Sequence, residues 1–184
     1  MKRPPEALVR LREVDAGWVI ALRYATNDNL TGRVLYASAE AWLRRETAWK
    51  LRTGAEMLVG RGLKLKVLDA YRPPSAQRAL WAACPDPRFV ASPDLGSRHT
   101  RGAAVDVTLV DGQGRELEMP SVHDAFGESA RRDAPGASRM ARLHAGWLHA
   151  AMTGAGFVGI ASEWWHFDDA DWRRYPLLEW EPGG

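Results

Sequence analysis

The stretch from Ala103 to Val110 reads Ala-Ala-Val-Asp-Val-Thr-Leu-Val, and no other segment limits the fold so tightly. Its alternation marks a strand. Val105, Val107 and Leu109 share one face, while Ala104, Asp106 and Thr108 share the other. The branched face belongs on a core, which leaves Asp106 among small side chains with room for an ion. The bland reading is an acid on a solvated strand face, because most aspartates are exposed.

Two further segments strengthen the ionic reading. His99 precedes Asp106 by an odd spacing, which on a straight strand would point the two side chains apart. A change of direction is therefore required between them, and Gly102 is the residue suited to it. Glu163-Trp164-Trp165-His166 poses the same problem, since its aromatic residues favour sheet. Glu163 must then lie on a bend or bulge at the strand entrance if it shares a site with His166. The plain alternative is an aromatic core strand with an edge glutamate and a packed histidine. Catalytic zinc needs three protein ligands and an open position. His99, Asp106 and His166 could supply the ligands, Glu163 a general base and Arg72 a partner for an oxyanion. His144 and His149 are five residues apart and lack the glutamate of a His-Glu-x-x-His helix. Ser97 has no neighbouring acid–base partner of the kind a serine nucleophile needs. The nine tryptophans read as core mass.

At 184 residues the chain is expected to form a single domain, residues 1–184. Its formal charge is +2, with basic residues in scattered pairs such as Arg44-Arg45 and Arg131-Arg132. That distribution argues against a nucleic-acid partner. The lone Cys84 forms no internal disulfide and leaves no sulfur cluster for a metal. The first residues show no apolar run of signal-peptide length, and no stretch reaches the roughly 18 apolar residues of a membrane span. A cytoplasmic protein without membrane contact is expected, with self-association left open.

Periodicity predicts an α+β class: a small antiparallel or mixed sheet with helices on one side. Residues 18–25 and 63–67 are expected as extended segments. A helix over residues 39–58 is expected to be capped by Ser38, and a shorter one through Ala83 by Ser75. Residues 84–98 are expected as loop, and Asp111-Gly112-Gln113-Gly114 as a hairpin turn into residues 115–119. A last helix over residues 138–153 is expected to turn Met140, Leu143, Trp147 and Ala151 to the core. Strand-like segments come after it at residues 157–160 and 163–167.

Taken together, Tyr24-Ala25-Thr26-Asn27-Asp28-Asn29-Leu30-Thr31-Gly32, Asp69-Ala70-Tyr71-Arg72-Pro73, Ser97-x-His99-x-Arg101-Gly102-x-Ala104-Val105-Asp106 and Glu163-Trp164-Trp165-His166 resemble the D-alanyl-D-alanine dipeptidases. These are zinc enzymes associated with vancomycin resistance and the recycling of cell-wall precursors. The resemblance covers nearly the whole chain in order. It implies a fold of the hedgehog/D,D-peptidase type and hydrolysis of a small D,D-dipeptide with one zinc per chain. It also implies His99, Asp106 and His166 as ligands, Glu163 as base and Arg72 as the transition-state arginine. Ser97, Asp124 and Tyr24 match positions that bind substrate. The stretch between Ala83 and Val90 is shorter than in the better-known members, and the surroundings of Asp124 depart from the family pattern. A zinc D,D-carboxypeptidase or cell-wall endopeptidase, and a zinc-stabilised binding domain without turnover, are the competing readings.

Overall fold

The strand expected at Ala103 forms as β5 (Ala104–Val110), at the centre of a five-stranded sheet. The computed structural model describes residues 4–15 and 17–182. Residues 1–3, the start of the stretch in which no signal-peptide run is expected, lie outside the described residues. In chain order the elements are β1 (Leu8–Arg10), α1 (Leu11–Val14), β2 (Val19–Ile20), β3 (Trp42–Arg44), α2 (Arg45–Val59), β4 (Lys64–Asp69) and α3 (Pro74–Ala83). After β5 come α4 (Arg139–Gly154), β6 (Phe157–Gly159) and β7 (His166–Asp169). The sheet order is β2-β4-β5-β7-β6, antiparallel except where edge strand β2 runs parallel to β4. A separate antiparallel pair joins β1 and β3. The architecture is the expected α+β class.

Register assigns the two faces of the sheet. Leu65 pairs with Leu109, Val67 with Val107, and Val105 with Phe167. These side chains form one buried face, against which α2 and α4 pack with Leu51, Leu58, Leu148 and Met152. The opposite face carries Asp106, paired directly with His166, and Ala104, paired with Asp168. A bulge between Val67 and Asp69 in β4 then brings Asp69, rather than Leu68, opposite Asp106. One extra residue exchanges the faces of every later position on its strand.

Several local expectations give way to tertiary structure. Ser38 caps no helix, because residues 42–44 form β3 against β1 and the helix begins only at Arg45. Ser75 is not a cap either; α3 starts at Pro74, and Ser75 N and Oγ both donate to the Glu181 carboxylate. A proline at the first helical position needs no backbone donor there. Residues 115–119 contribute a single bridge, Val110 to Glu116, instead of a strand.

The helix expected from residue 138 forms, with Ser138 Oγ accepting from Ala141 N at 3.0 Å. Its buried face is the expected one only in part: Ala151 is buried and Trp147 packs partly buried against the core, as expected. Met140 and Leu143 are 47% and 43% exposed, while Ala141, Ala145, Leu148, Ala151 and Met152 face the core. Close packing on α2 explains this: a Cβ on Gly54 would stand 3.3 Å from Met152 Sδ. Small side chains let the two helices approach, and the bulky ones are displaced outward. Among the described residues no helix is long and apolar enough to cross a membrane.

Candidate metal centre and substrate cavity

His99 comes from a 3-10 turn (His99–Arg101) that ends at Gly102, whose φ is +69°. The left-handed conformation suits glycine, and here space also requires it. A Cβ on Gly102 would lie 2.8 Å from Leu8 Cδ2 and 3.3 Å from Arg44 N. The reversal carries His99 back over β5, as the odd spacing to Asp106 demanded. His166 opens β7 directly across from Asp106. Glu163 lies in the irregular stretch before that strand, between a turn at residues 161–162 and a bend at residues 164–165.

These placements bring three donor atoms together. Asp106 Oδ1 is 3.0 Å from His166 Nδ1 and 3.4 Å from His99 Nε2, and the two ring nitrogens are 3.2 Å apart. The far nitrogens have acceptors of their own. His99 Nδ1 faces the Ala70 carbonyl at 2.8 Å, and His166 Nε2 faces Asp168 Oδ1 at 3.0 Å. A carbonyl and a carboxylate only accept, so each neutral ring places its proton on the far side. Two lone pairs and a carboxylate oxygen then converge on one point, an arrangement a cation satisfies. Ligands around a tetrahedral zinc with bonds of about 2.0–2.1 Å stand roughly 3.3 Å apart. The donor set therefore fits a small divalent ion in both chemistry and spacing. His99, Asp106 and His166 are also the group of His, Cys, Asp and Glu side chains that could hold a metal among the described residues.

Around these donors lies a cavity of about 530 Å³, and all eight residues singled out from the sequence line it. Glu163 Oε2 is 4.0 Å from His166 Nδ1. Burial pushes the Glu163 carboxyl above its ordinary value, although the nearby His166, His99 and Arg72 partly offset it. Arg72 is held from three directions. Its Nε and Nη2 donate to Asp69 Oδ2, Nη1 donates to Gln77 Oε1, and its guanidinium stands 5.0 Å over the Tyr24 ring. Burial alone would lower its pKa, but the charge of Asp69 outweighs that and keeps the guanidinium cationic.

The substrate-binding candidates occupy another wall. Tyr24 Oη donates to the Asp124 carboxylate at 3.0 Å, and burial raises the phenol well above its ordinary value. Asp124 adopts φ +60°, the one positive value outside glycine among the described residues. Ser97 is buried, and its Oγ accepts from His99 N at 3.2 Å. Its hydroxyl thus supports the turn that presents His99.

Four supporting residues were not legible as site residues. Asp69 accepts from Tyr36 Oη at 2.5 Å as well as from Arg72. Gln77 joins Arg72 to the Ala91 carbonyl. Asp168 backs His166, and His123 Nε2 lies 3.1 Å from Asp106 Oδ2. A pair-spacing signal existed only for Asp168, two residues after His166 on the same strand face.

The chain is similar in sequence to several known proteins. Residues 5–177 match the family model described as D-ala-D-ala dipeptidase. The chain is 41% identical over 171 residues to a D-alanyl-D-alanine dipeptidase of Escherichia coli strain K12, covering 93% of this chain and 89% of the relative. It is 30% identical over 166 residues to a D-alanyl-D-alanine dipeptidase of Enterococcus faecium, covering 79% and 82%. Among solved structures, the vancomycin-resistance D,D-pentapeptidase VanY in complex with Zn(II) aligns at TM-score 0.46 and 17% identity, over 73% of this chain and 76% of that one.

Proposed function

Because this chain belongs to the D-alanyl-D-alanine dipeptidase family, we propose that it hydrolyses the D-alanyl-D-alanine dipeptide to two D-alanines, as one zinc-dependent catalytic domain. The observation that carries the reading is the convergence of His99 Nε2, Asp106 Oδ1 and His166 Nδ1 on the wall of a cavity that Glu163 and Arg72 also line. Those three residues would hold the ion. Zinc in such a mixed nitrogen and oxygen set supplies Lewis acidity and a nucleophile from water at neutral pH.

The chain's own residues then do the rest. Glu163, partly shielded and with a raised pKa, takes the proton of the attacking water and returns it to the departing amine. Arg72 faces the oxygen on which charge develops. Asp69 and Gln77 have already fixed its guanidinium, so little reorganisation accompanies the reaction. Asp124 receives the substrate ammonium, oriented by the Tyr24 hydroxyl. A peptide whose amine is acylated offers that carboxylate no charged partner, and a polar group left unpaired makes the site reject it. This favours a dipeptidase over a carboxypeptidase of longer chains.

The test is to incubate zinc-loaded protein with D-Ala-D-Ala, L-Ala-L-Ala and N-acetyl-D-Ala-D-Ala and measure free alanine. Release from the first alone, and its loss in Glu163→Gln, is expected. Equal turnover of the acetylated substrate would replace the dipeptidase reading with the carboxypeptidase one. Zinc binding without turnover of any of the three would leave only a zinc-stabilised binding domain.

A further inference from the structure

We propose that His123 is a positioning residue that fixes which oxygen of Asp106 meets the metal, an inference that rests on the zinc site proposed above. Each of the three donor side chains has a second polar atom, and each of those atoms is restrained. The Ala70 carbonyl holds His99 Nδ1, the Asp168 carboxylate holds His166 Nε2, and His123 holds Asp106 Oδ2 at 3.1 Å. A carboxylate cannot donate, so the proton in this contact belongs to His123 Nε2. With Oδ2 engaged, Oδ1 is left for the centre, where it faces both imidazoles.

The restraint is built into the surroundings of His123. Its side chain is 3% exposed and packed edge-on between the rings of Tyr24, at 6.3 Å, and Trp165, at 5.2 Å. These two rings and the low exposure hold it beside Asp106. The left-handed backbone at Asp124 accounts for an otherwise awkward feature. Consecutive residues of an extended chain point to opposite sides, yet here both His123 and Asp124 turn inward. His123 Nδ1 lies 3.5 Å from Asp124 Oδ1, so one imidazole spans the carboxylate of the metal centre and the carboxylate of the ammonium subsite. The strained backbone at Asp124 persists because both side chains have partners.

Outer partners of metal ligands typically matter by about 10–100-fold in metal affinity. The experiment is a zinc competition titration against a chromophoric chelator, with wild type, His123→Phe and His123→Gln. Melting of each zinc-free protein is recorded in parallel. Phenylalanine keeps the packing between Tyr24 and Trp165 and removes the donor; glutamine retains an N–H donor. The expected result is an about 10–100-fold weaker zinc Kd for His123→Phe, a substantial recovery in His123→Gln, and similar zinc-free melting temperatures. If His123→Phe fails to fold, His123→Met serves as the donor-free variant. Unchanged zinc affinity in the donor-free variant overturns the proposal and leaves the metal site standing. Equal weakening in both variants also overturns it, since the hydrogen bond would not be the cause. Absence of zinc binding by wild type would instead remove the metal site itself.

Discussion

Asp69 Oδ2 accepts from both Nε and Nη2 of Arg72, at 3.0 and 2.8 Å, across a turn three residues long. The planar fork of the guanidinium suits this double contact, and an ammonium cannot reproduce it. Arg72→Lys keeps the charge but loses the aim. We expect kcat for D-Ala-D-Ala to fall roughly a hundredfold or more. Zinc content, measured by atomic absorption, should stay at the wild-type level. A kcat within a few fold of wild type would remove Arg72 from the transition state.

Glu163 gives a prediction about stability as well as turnover. Burial raises its pKa in the folded protein, so the folded state binds the proton more tightly than the unfolded chain. The ionised form is therefore penalised on folding. The penalty is absent below the unfolded glutamate value of about 4.3 and complete above the folded value. Glu163→Gln should raise the melting temperature of the zinc-free protein at pH 7, and the gain should fade as the pH falls towards about 4. A lower melting temperature at pH 7 would contradict this.

Lys50 bridges α2 to the far end of β7. Its ammonium contacts Asp169 at 2.5 Å and Asp171 at 2.8 Å, and Asp169 has no solvent exposure. Burial pulls the Lys50 pKa down, but the two carboxylates outweigh it and leave it raised. Lys50→Met strands the Asp169 charge in the core beside Thr47, at a cost of about 3 kcal/mol in urea unfolding. Because the folded pKa is the higher one, the wild-type advantage is fully present below about pH 10.4. It should be lost only as the pH rises further, through the folded value. A deficit that varies between pH 6 and 9 would contradict the assignment.

Gly102→Ala tests the turn that presents His99. The positive φ and the contacts with Leu8 and Arg44 together predict a destabilisation of about 1–3 kcal/mol by chemical denaturation. Zinc affinity should fall as well, because His99 and Asp106 lie on either side of the distorted residue. Alanine tolerated without loss of stability or of zinc would refute the steric account.

The sequence was most informative where function imposes unusual residues on unusual backbone. Alternation around Asp106, the glycine after His99 and the bend before His166 were all legible, because local geometry forced them. The residues behind the site were harder to see. Asp69, His123 and Gln77 reach it through a strand bulge, a left-handed turn and a helix start, none of which carries a period. The α4 face was legible only at Trp147 and Ala151 for a related reason: several apolar stripes fit one helix, and close approach to Gly54 of α2 turned Met140 and Leu143 outward. Ser38 and Ser75 show local cap signals overridden by β3 pairing and by Glu181.

The irregular step at Leu68 sets a rule for length variation in related chains. Regular pairing through Leu68, without the bulge, would set Leu68 opposite Asp106 and turn Asp69 towards the helices, taking the anchor of Arg72 with it. The connection between α3 and the His99 turn lies outside the sheet, so it can be shortened without re-phasing any strand. Relatives should therefore differ freely in the span around residues 84–96, while the count of residues from Lys64 to Arg72 stays constant.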